Sequence, residues 1–329
     1  MKLILVGLGV VGGGLAELLS KRSAELRKRG LEFEVVAAAD SNGAAIDGRG
    51  LDPAELLARK RRTGRVGISE KSAVDVIREV DADAVVELTP GTMNGQPALA
   101  HMEAALKSSK SVVTANKMPL ALHYGVLIRE AKRHDVRMLY SACVGGGLPV
   151  LEFGRSCASA EPVDRIEGVV NATTNYILSE MERGVGYDRA LRRAQALGYA
   201  EPDPSFDIDG VDAACKIVLL ADHVMGKEFK LRDVKPLKGV GGVTAAGVSR
   251  ARRNGKALRL VARAGKTLSV GPVEVDERSP LAAKGRSHAV VFHCKYSGER
   301  TITGSGAGSV TTSIGVMRDL ISLATGTAP

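Results

Sequence analysis

The most constraining feature of the sequence is a glycine pattern that follows its first apolar run. The segment KLILVG predicts a short buried parallel strand, and a helix-forming segment follows the glycines. Between them, Gly7, Gly9 and Gly12 have the G-x-G-x-x-G spacing of a dinucleotide-binding turn. Gly7 permits a tight turn, Gly9 lets the backbone approach a pyrophosphate, and Gly12 allows close helix–strand packing. This order of elements predicts a Rossmann-like fold at the start of the chain.

The residues between these glycines are candidate cofactor-binding positions as well. They are Leu8, Val10 and Val11, and they immediately precede the helical segment GGLAELLSKRSAELRKRG. A helix N-terminus carries unpaired N–H groups and a partial positive charge, which together favour a phosphate group. We therefore expect the backbone of these three residues to face the phosphates of a bound dinucleotide.

The type of dinucleotide depends on the residues that follow the second predicted strand, EVVAAAD. Asp40 ends this strand, 28 residues after Gly12, and its carboxylate would bind the ribose 2′-hydroxyl of NAD. Arg59 and Lys60, together with Arg62, would instead hold the 2′-phosphate of NADP. The sequence predicts a nicotinamide dinucleotide and leaves NAD and NADP open.

The order of strand and helix patterns predicts an α/β protein with two domains. Strands and helices alternate over residues 1–150, which predicts a dinucleotide-binding domain with a doubly wound parallel sheet and right-handed crossovers. Helices and then strands dominate residues 151–303, which predicts an α+β substrate domain with a mixed or antiparallel sheet. Residues 304–329 form a glycine-rich turn and a helix that we expect to return to the first domain.

Composition limits the classes of partner and the compartment. The net charge is +9, but the basic clusters are not interleaved with the aromatic residues that stack on bases, so we expect no nucleic-acid partner. A basic surface that attracts anionic metabolites is the better interpretation. The four cysteines include no CxxC pair, which is typical of a reducing compartment, and no apolar run approaches a membrane span. We expect a cytoplasmic protein with no membrane partner.

Acidic residues gather in the segment EPDPSFDIDGVDAACK, residues 201–216, although the chain is basic. A calcium loop aligned on Gly210 would have Lys216 at the position of its closing acid, which excludes that interpretation. Asp212 and Lys216 are four residues apart on a largely apolar helix and share one face. They form either a structural ion pair or a lysine poised for proton transfer and oriented by Asp212. The second interpretation gives the surrounding acids a use, because they suit a substrate that carries an ammonium group.

Seven ordered motifs carry a resemblance to a known family. They are GLGVVG, ELTPGT, VVTANKMPLAL, ACVGGGLPV, GVVNATTNYILSEM, ALGYAEPDPSFDIDGVDAACK and GSGAG, and they span roughly residues 1–325. Together they closely resemble the homoserine dehydrogenases, in the short form without an aspartate kinase region or an added C-terminal regulatory module. The resemblance also implies a homodimer joined through the strand-rich second domain.

The resemblance implies a reaction and a role for each residue of the acidic segment. Family members reversibly reduce aspartate 4-semialdehyde to L-homoserine with NADPH or NADH, a step of threonine, methionine and isoleucine biosynthesis. Carried over, Lys216 would protonate the aldehyde oxygen as hydride reaches the carbon, and Asp212 would bind the substrate by orienting both Lys216 and the reacting hydroxyl. Glu201 and Asp207 would bind the substrate, including its ammonium group. Asp203 and Asp209 receive no role and are expected to be solvated loop positions.

Further positions match the family's cofactor contacts. Lys117, in TANK, resembles the family's second lysine, at the junction of nicotinamide and substrate, and is implied to be catalytic and to bind both ligands. Thr89, in ELTPGT, and Gly308, in GSGAG, resemble cofactor contacts. Thr89 and Lys117 also follow predicted strands, at the sheet edge where open α/β sheets bind ligands.

The segment SACVGGGLPV resembles the family's monovalent-cation loop, in which backbone carbonyls hold a sodium ion. The matching positions are Ser141, Val144, Gly146 and Leu148. Family members often have Glu at the position of Ser141, and a main-chain ligand would survive that change. The resemblance therefore implies a sodium ion as a second bound group.

Two alternative functions compete with the dehydrogenase hypothesis. An acylating semialdehyde dehydrogenase would use Cys143 as a nucleophile, but the segment CVGGGLP offers no nearby histidine to activate it. A non-enzymatic dinucleotide-binding sensor would have no use for Lys216 within the acidic segment. Activity that survives alkylation of Cys143 would exclude the first alternative, and loss of hydride transfer in Lys216→Ala would exclude the second.

Overall fold

The computed structural model describes residues 1–306 and 308–327, and the chain divides into two compact units. The first unit consists of Met1–Gly147 together with the C-terminal segment that begins at Gly308. The second unit begins at Leu148 and ends before Gly308. None of the described helices is long and apolar enough to span a membrane.

The N-terminal part of the first unit alternates strands and helices. In chain order its elements are β1 (Lys2–Val6), α1 (Val10–Lys28), β2 (Glu34–Asp40), β3 (Gly43–Leu51), α2 (Pro53–Thr63), α3 (Ala73–Glu79), β4 (Ala84–Glu87), α4 (Ala98–Lys107), β5 (Ser111–Thr114), α5 (Lys117–Arg133), β6 (Met138–Leu139) and α6 (Ala142–Gly145).

These strands form a six-stranded sheet in the order β3-β2-β1-β4-β5-β6. The pairs from β2 through β6 are parallel, which confirms the predicted doubly wound architecture. The edge strand β3 pairs antiparallel with β2 and was not predicted. Its sequence, GAAIDGRGL, contains three glycines and only two buried residues, so it lacks the apolar alternation that marks a strand.

Local signals explain where helix α2 begins and ends. The Asp52 side chain accepts a hydrogen bond from the Ala54 N–H at 2.8 Å, and Pro53 occupies the first helical position. Such a cap stabilises a helix by about 1 kcal/mol. Gly64 ends the helix with φ 72°, a left-handed conformation that glycine adopts at low cost. Both residues at the helix start are of the types that favour this position.

The second unit contains the remaining strands and most of the remaining helices. In chain order its elements are α7 (Val150–Ala160), β7 (Val163–Val169), α8 (Ala172–Glu182), α9 (Tyr187–Ala196), α10 (Ser205–Ile208), α11 (Val211–Met225), a 3₁₀ turn (Leu231–Asp233), β8 (Val234–Leu237), α12 (Ala245–Arg253), β9 (Lys256–Ala264), β10 (Leu268–Asp276), a second 3₁₀ turn (Pro280–Ala282), β11 (Ser287–Cys294) and β12 (Gly298–Ser305). Helix α13 (Ser309–Thr325) follows and belongs to the first unit.

The second sheet has the order β12-β11-β7-β9-β10-β8 and is mixed. Its described pairs are antiparallel except for the parallel pair of β8 and β10. This confirms the predicted α+β arrangement, although α7, α12 and β8 were not predicted. The VKPL sequence of β8 has one buried residue and a proline, which is typical of an edge strand and gives little periodicity.

Helix α11 is the central helix of the second unit. Eleven of its fifteen residues are buried, including Asp212 and Asp222, as its largely apolar sequence predicted. Gly210 and Gly226 flank it in the left-handed conformation, with φ 85° and 63°. Because the helix is covered nearly all round, every charged side chain on it needs a partner or a function.

Candidate active site

The glycine turn after β1 has a separate physical requirement at each position. A Cβ at Gly7, whose φ is 88°, would lie 2.7 Å from the backbone of Leu88 and Thr89. A Cβ at Gly12 would lie 2.0 Å from the carbonyl oxygen of Gly7. At Gly9 a Cβ would meet nothing within 4 Å. Gly7 and Gly12 therefore close the turn, whereas Gly9 leaves open space in which a phosphate group fits.

The open space continues into a cavity of about 460 Å³ in the same unit. Its lining includes Leu8, Gly9 and Val10, at the start of α1, and the Lys60 side chain. Gly9 caps α1 without a side-chain hydrogen bond, so the first amides of this helix remain available to an anion. The predicted phosphate site thus has the helix end, the amides and the room that a dinucleotide needs.

Asp40 is tied to the glycine turn by hydrogen bonds. Its carboxylate accepts bonds from the Lys60 ammonium, from the Leu8 N–H at 3.1 Å and from the Ser41 N–H at 2.7 Å. Burial alone would raise the pKa of Asp40, but these bonds together hold it below its usual value. Arg59 instead pairs with Glu55 at 3.9 Å. Of the two basic residues, Lys60 is therefore the one that forms an ion pair with Asp40.

Thr89 and Lys117 follow the neighbouring parallel strands β4 and β5. Glu87 pairs in register with Thr114 across these strands, so both chains leave the sheet at the same edge. Thr89 donates its hydroxyl and its N–H to Glu87, and the Asn116 side chain donates to the Thr89 carbonyl at 3.3 Å. Lys117 is half-buried and begins α5 directly after Asn116.

Glu87 was missed by the sequence reasoning. It is fully buried at the end of β4 and accepts hydrogen bonds from Thr89 and Thr114. The apolar run around it gave no signal of its importance.

Gly308 begins α13, which returns to the glycine turn within the first unit. The Ser313 hydroxyl donates to the Val11 carbonyl at 2.8 Å, so α13 lies against α1. Val310 lines the same cavity as Gly9. Gly308 itself has φ 134°, a conformation suited to glycine, and its carbonyl accepts the Thr312 N–H. The C-terminal helix therefore supplies part of the wall of the predicted dinucleotide site.

The Lys216 ammonium lies at the centre of the acidic segment. It donates to Asp212 Oδ2 and to the Val170 carbonyl, both at 2.7 Å. The Lys216 side chain is 12% exposed and the Asp212 side chain is 7% exposed, so solvent screens this ion pair only weakly. An ammonium group has three N–H donors, and two of them are used by these contacts. The predicted pairing on one face of α11 is present.

Asn171 joins two acids around this lysine. Its side-chain amide donates to Asp207 Oδ1 at 2.7 Å and to Asp212 Oδ2 at 2.8 Å. Its side-chain oxygen accepts the Thr174 N–H at 2.8 Å and so caps α8. The sequence reasoning missed Asn171, although its place before ATTNYIL is typical of a helix cap.

The pKa of the Asp207 carboxyl is raised in these surroundings. Burial raises the pKa of its carboxyl, and the nearby Asp212 carboxylate raises it further. Hydrogen bonds from Thr173 and Asn171, and the charge of Lys216, act in the opposite direction. Two carboxylates in a poorly solvated place favour a cationic ligand.

The other acids of the segment lie outside this network. Glu201 is exposed, and the structure does not bring it into hydrogen-bonding contact with the Lys216 network among the described residues. Asp203 accepts the Ser205 N–H at 3.1 Å, and Asp209 is exposed after α10.

The predicted cation loop is a tight turn around α6. Ser141 donates its N–H to Asp319 Oδ2 at 2.9 Å and its hydroxyl to Asp319 Oδ1 at 2.6 Å. The Ser141 carbonyl accepts long bonds from the Val144 and Gly145 N–H groups, at 3.3 and 3.4 Å. In the second unit, the Leu148 carbonyl accepts the Val150 N–H at 2.8 Å. Gly146, with φ 57°, ends α6.

Cys143, the nucleophile of the acylating alternative, is 2% exposed. Its thiol donates to the Thr114 carbonyl at 3.5 Å. A buried thiol that contacts a carbonyl oxygen is poorly placed to become a thiolate or to meet an acyl substrate. The geometry does not favour this alternative.

Comparison with known proteins agrees with this geometry. Residues 7–141 match the family model described as homoserine dehydrogenase, NAD binding domain, and residues 149–321 match the one described as homoserine dehydrogenase.

Among curated proteins, the homoserine dehydrogenase of Methanocaldococcus jannaschii is 41% identical, covering 98% of each chain. The NAD(+)-dependent homoserine dehydrogenase of Pseudomonas canavaninivorans is 32% identical over 97% of this chain and 95% of its own. A hyperthermophilic archaeal homoserine dehydrogenase solved in complex with NADPH superposes with a TM-score of 0.88 at 29% identity, covering 99% of this chain and 98% of its own. This chain belongs to the homoserine dehydrogenase family.

Proposed function

We propose that this protein reversibly reduces L-aspartate 4-semialdehyde to L-homoserine with NADPH or NADH, and that Lys216 transfers the proton. The observation that carries the proposal is the geometry of the Lys216 ammonium. Asp212 and the Val170 carbonyl hold it at 2.7 Å each and leave one N–H for a substrate oxygen. A structural ion pair alone would not need a group of acids beside it.

Residues of the second unit bind the substrate and transfer its proton. When bound, the nicotinamide coenzyme supplies or accepts the hydride. Lys216 donates a proton to the aldehyde oxygen during reduction and accepts the hydroxyl proton during oxidation. Asp212 fixes the direction of the ammonium and stabilises its charge. Asp207, together with Glu201, binds the substrate ammonium, for which these carboxylates provide the opposite charge. Lys117, as the resemblance implies, would contact coenzyme and substrate.

The coenzyme is NAD or NADP. Gly7, Gly9 and Gly12, with Leu8, Val10 and Val11, would hold the pyrophosphate on the N-terminus of α1. Thr89 and Gly308 would contact the coenzyme at the sheet edge and at the start of α13.

Asp40, Arg59 and Lys60 would face the ribose that differs between the two coenzymes. If the protein uses NADP, Lys60→Ala raises the KM for NADP and leaves that for NAD unchanged. If it uses NAD, Asp40→Ala raises the KM for NAD, because the 2′-hydroxyl loses its acceptor. Parallel assays with both coenzymes decide between these cases.

The central experiment measures coenzyme reduction with L-homoserine at saturating coenzyme. Lys216→Ala and Asp212→Asn should lower kcat much more than they change the KM for coenzyme. Lys227→Ala is the matched control, since Lys227 is an exposed lysine two residues beyond the end of the same helix. Unchanged hydride transfer in Lys216→Ala would contradict the assigned role. An equal loss of coenzyme binding would contradict the division of roles between the two units.

Three further proposals concern bound ions, assembly and location. Main-chain oxygens of Ser141, Val144, Gly146 and Leu148 would hold a sodium ion, and metal analysis of protein dialysed against potassium or sodium buffer tests this. A homodimer formed through the second sheet predicts twice the chain mass in light scattering. The four cysteines, which include no CxxC pair, favour a cytoplasmic location, which cell fractionation tests.

A further inference from the structure

Two basic side chains of the second unit, His288 and Arg286, carry buried nitrogens that lack a hydrogen-bond partner among the described residues. His288 is 2% exposed, and neither of its ring nitrogens has a partner among the described residues. The buried Nε of Arg286 lacks one as well. A buried donor without a partner is costly, so such atoms in a native protein usually meet a water or a ligand. Neither side chain was identified from the sequence.

The strand register places His288 beside the lysine. β11 and β7 are antiparallel with Ala289 opposite Val169, so His288 falls opposite Val170. The Val170 carbonyl is the second acceptor of the Lys216 ammonium. Burial lowers the pKa of the His288 imidazole. The charges of Lys216 and Arg286 lower it further, whereas the charge of Asp212 raises it.

The imidazole also lies on the face of the second sheet that is covered by α11. Residues 288, 290 and 292 alternate onto one face of β11. A Cβ at Gly154 would meet both the Phe292 ring and Val224 of α11, at 2.6 and 2.7 Å. His288 therefore shares this face with the helix that carries Asp212 and Lys216.

Arg286 is linked to the acidic segment through Tyr199. Its guanidinium lies 4.0 Å from the centre of the Tyr199 ring. The Tyr199 carbonyl accepts the Thr173 hydroxyl at 2.8 Å, and Thr173 is also bonded to Asp207. A chain of contacts thus runs from Arg286 through the acids to Lys216, and the charges of Lys216 and Arg286 both affect His288.

The turn that carries Arg286 is held in place by α8. The Asn175 side chain donates to the carbonyls of Ala283 and Ser287, both at 3.0 Å. The Ser179 hydroxyl accepts the Gly285 N–H at 2.9 Å. Because both ends of the turn are fixed, Arg286 and His288 present their donors from a rigid support.

This chain of contacts includes groups of both charges. Asp207 and Asp212 are carboxylates, and Arg286 carries a guanidinium. Burial, together with the charges of Lys216 and Arg286, lowers the pKa of His288 to about 3, so the imidazole is neutral and offers one N–H and one acceptor. The acids suit an ammonium group, and the guanidinium and the imidazole N–H suit a carboxylate.

We propose that Arg286 and His288 form the subsite for the α-carboxylate of the amino-acid substrate, opposite the acids that bind its ammonium group. This rests on the proposed function, because it concerns the same substrate. Arg286 supplies the charge and His288 a directed donor, so the zwitterion is held at both ends while its reacting oxygen meets Lys216. The pair would set specificity for an α-amino acid over a simple amino alcohol.

The experiment separates the two ends of the substrate with two probes. 4-Hydroxybutanoate keeps the carboxylate of homoserine and lacks the ammonium, whereas 3-aminopropan-1-ol has the reverse. Both are measured as competitive inhibitors against homoserine, alongside the KM for homoserine and for coenzyme. The variants are Arg286→Gln, Arg286→Lys and His288→Asn. Arg278→Gln serves as the control, since the Arg278 side chain is 94% exposed.

We expect Arg286→Gln to raise the KM for homoserine by about 10-fold to 100-fold, the range of a lost charge-assisted hydrogen bond. The inhibition constant of 4-hydroxybutanoate should rise in parallel, and that of 3-aminopropan-1-ol should stay constant. Arg286→Lys and His288→Asn should fall between Arg286→Gln and wild type. The KM for coenzyme and the control variant should match the wild type.

Two results would overturn the proposal. One is an unchanged KM for homoserine in Arg286→Gln and His288→Asn, which decides the question even where the analogues inhibit too weakly to measure. The other is an equal weakening of both analogues, which would indicate general damage to the site. If the wild type fails to oxidise homoserine at all, the proposed function fails instead, so the two failures are distinguishable.

Discussion

Asp222, on the same helix as Lys216, gives a sharp prediction about stability and pH. The side chain is 4% exposed, and its Oδ1 accepts the Phe229 N–H at 2.8 Å. Its Oδ2 has no hydrogen-bond partner in the part of the chain that the structure describes. Burial raises the pKa of Asp222 from 3.8 to about 7, against the Phe229 hydrogen bond and with help from the charges of Glu228 and Asp233.

The sign of the effect follows from proton binding. Between about pH 4 and pH 7 the folded protein keeps the Asp222 proton while the unfolded chain releases it. The free energy of unfolding therefore falls as pH rises through this window and is level above it. A gap of about three pKa units corresponds to about 4 kcal/mol, at roughly 1.36 kcal/mol per unit. Asparagine cannot ionise and keeps an oxygen for the Phe229 N–H, so Asp222→Asn should remove this loss.

Urea unfolding followed by circular dichroism, at about pH 5 and at about pH 8, measures the effect. We expect Asp222→Asn to exceed the wild type in stability at the higher pH, by up to about 4 kcal/mol, and by much less at the lower pH. Asp164→Asn is the control, since Asp164 is exposed in the same unit. A stability difference between Asp222→Asn and wild type that is the same at both pH values would refute the burial argument.

Three substitutions test other parts of the site. Gly12→Ala should greatly raise the KM for coenzyme, because its Cβ would lie 2.0 Å from the Gly7 carbonyl, whereas Gly13→Ala meets only the Leu57 side chain at 3.4 Å and should be tolerated. Asn171→Ala should lower kcat/KM for homoserine and reduce stability by about 1 kcal/mol through the lost helix cap, measured by steady-state kinetics and thermal unfolding; a change in stability alone would leave Asn171 only structural. Cys143→Ala should retain homoserine turnover, and its loss would restore the acylating mechanism.

The sequence predicted those features that depend on neighbours along the chain. Asp52 and Pro53 are adjacent residues that favour a helix start, and α2 begins there. Asp212 and Lys216 meet because four residues make about one turn of helix. The glycine spacing is likewise local, and the parallel sheet follows from the alternation of elements. Strand β3 was not predicted because its few buried residues give no alternating apolar pattern.

The partners of Asp212 and Lys216 could not be predicted in the same way. Val170 and Asn171 reach Lys216 and Asp212 across more than forty residues, through the pairing of β7 and the packing of α11. His288 reaches the site only through the register of β11 on β7. The spacing of residues along the chain does not indicate contacts between such distant segments. A polar residue within an apolar strand, such as His288 before AVVF, was the one local signal available.

The acidic segment of this basic protein now has a physical explanation. Asp207 and Asp212 share one amide donor, Asn171, and Lys216 balances only part of their charge. Burial raises the pKa of Asp207, and the neighbouring Asp212 carboxylate raises it further, so ionisation of both carboxyls is unfavourable. A substrate ammonium would remove that penalty, because it supplies the missing positive charge inside the site. We therefore expect repulsion between these carboxylates to favour a cationic substrate, and the excess of basic residues elsewhere leaves this local requirement unchanged.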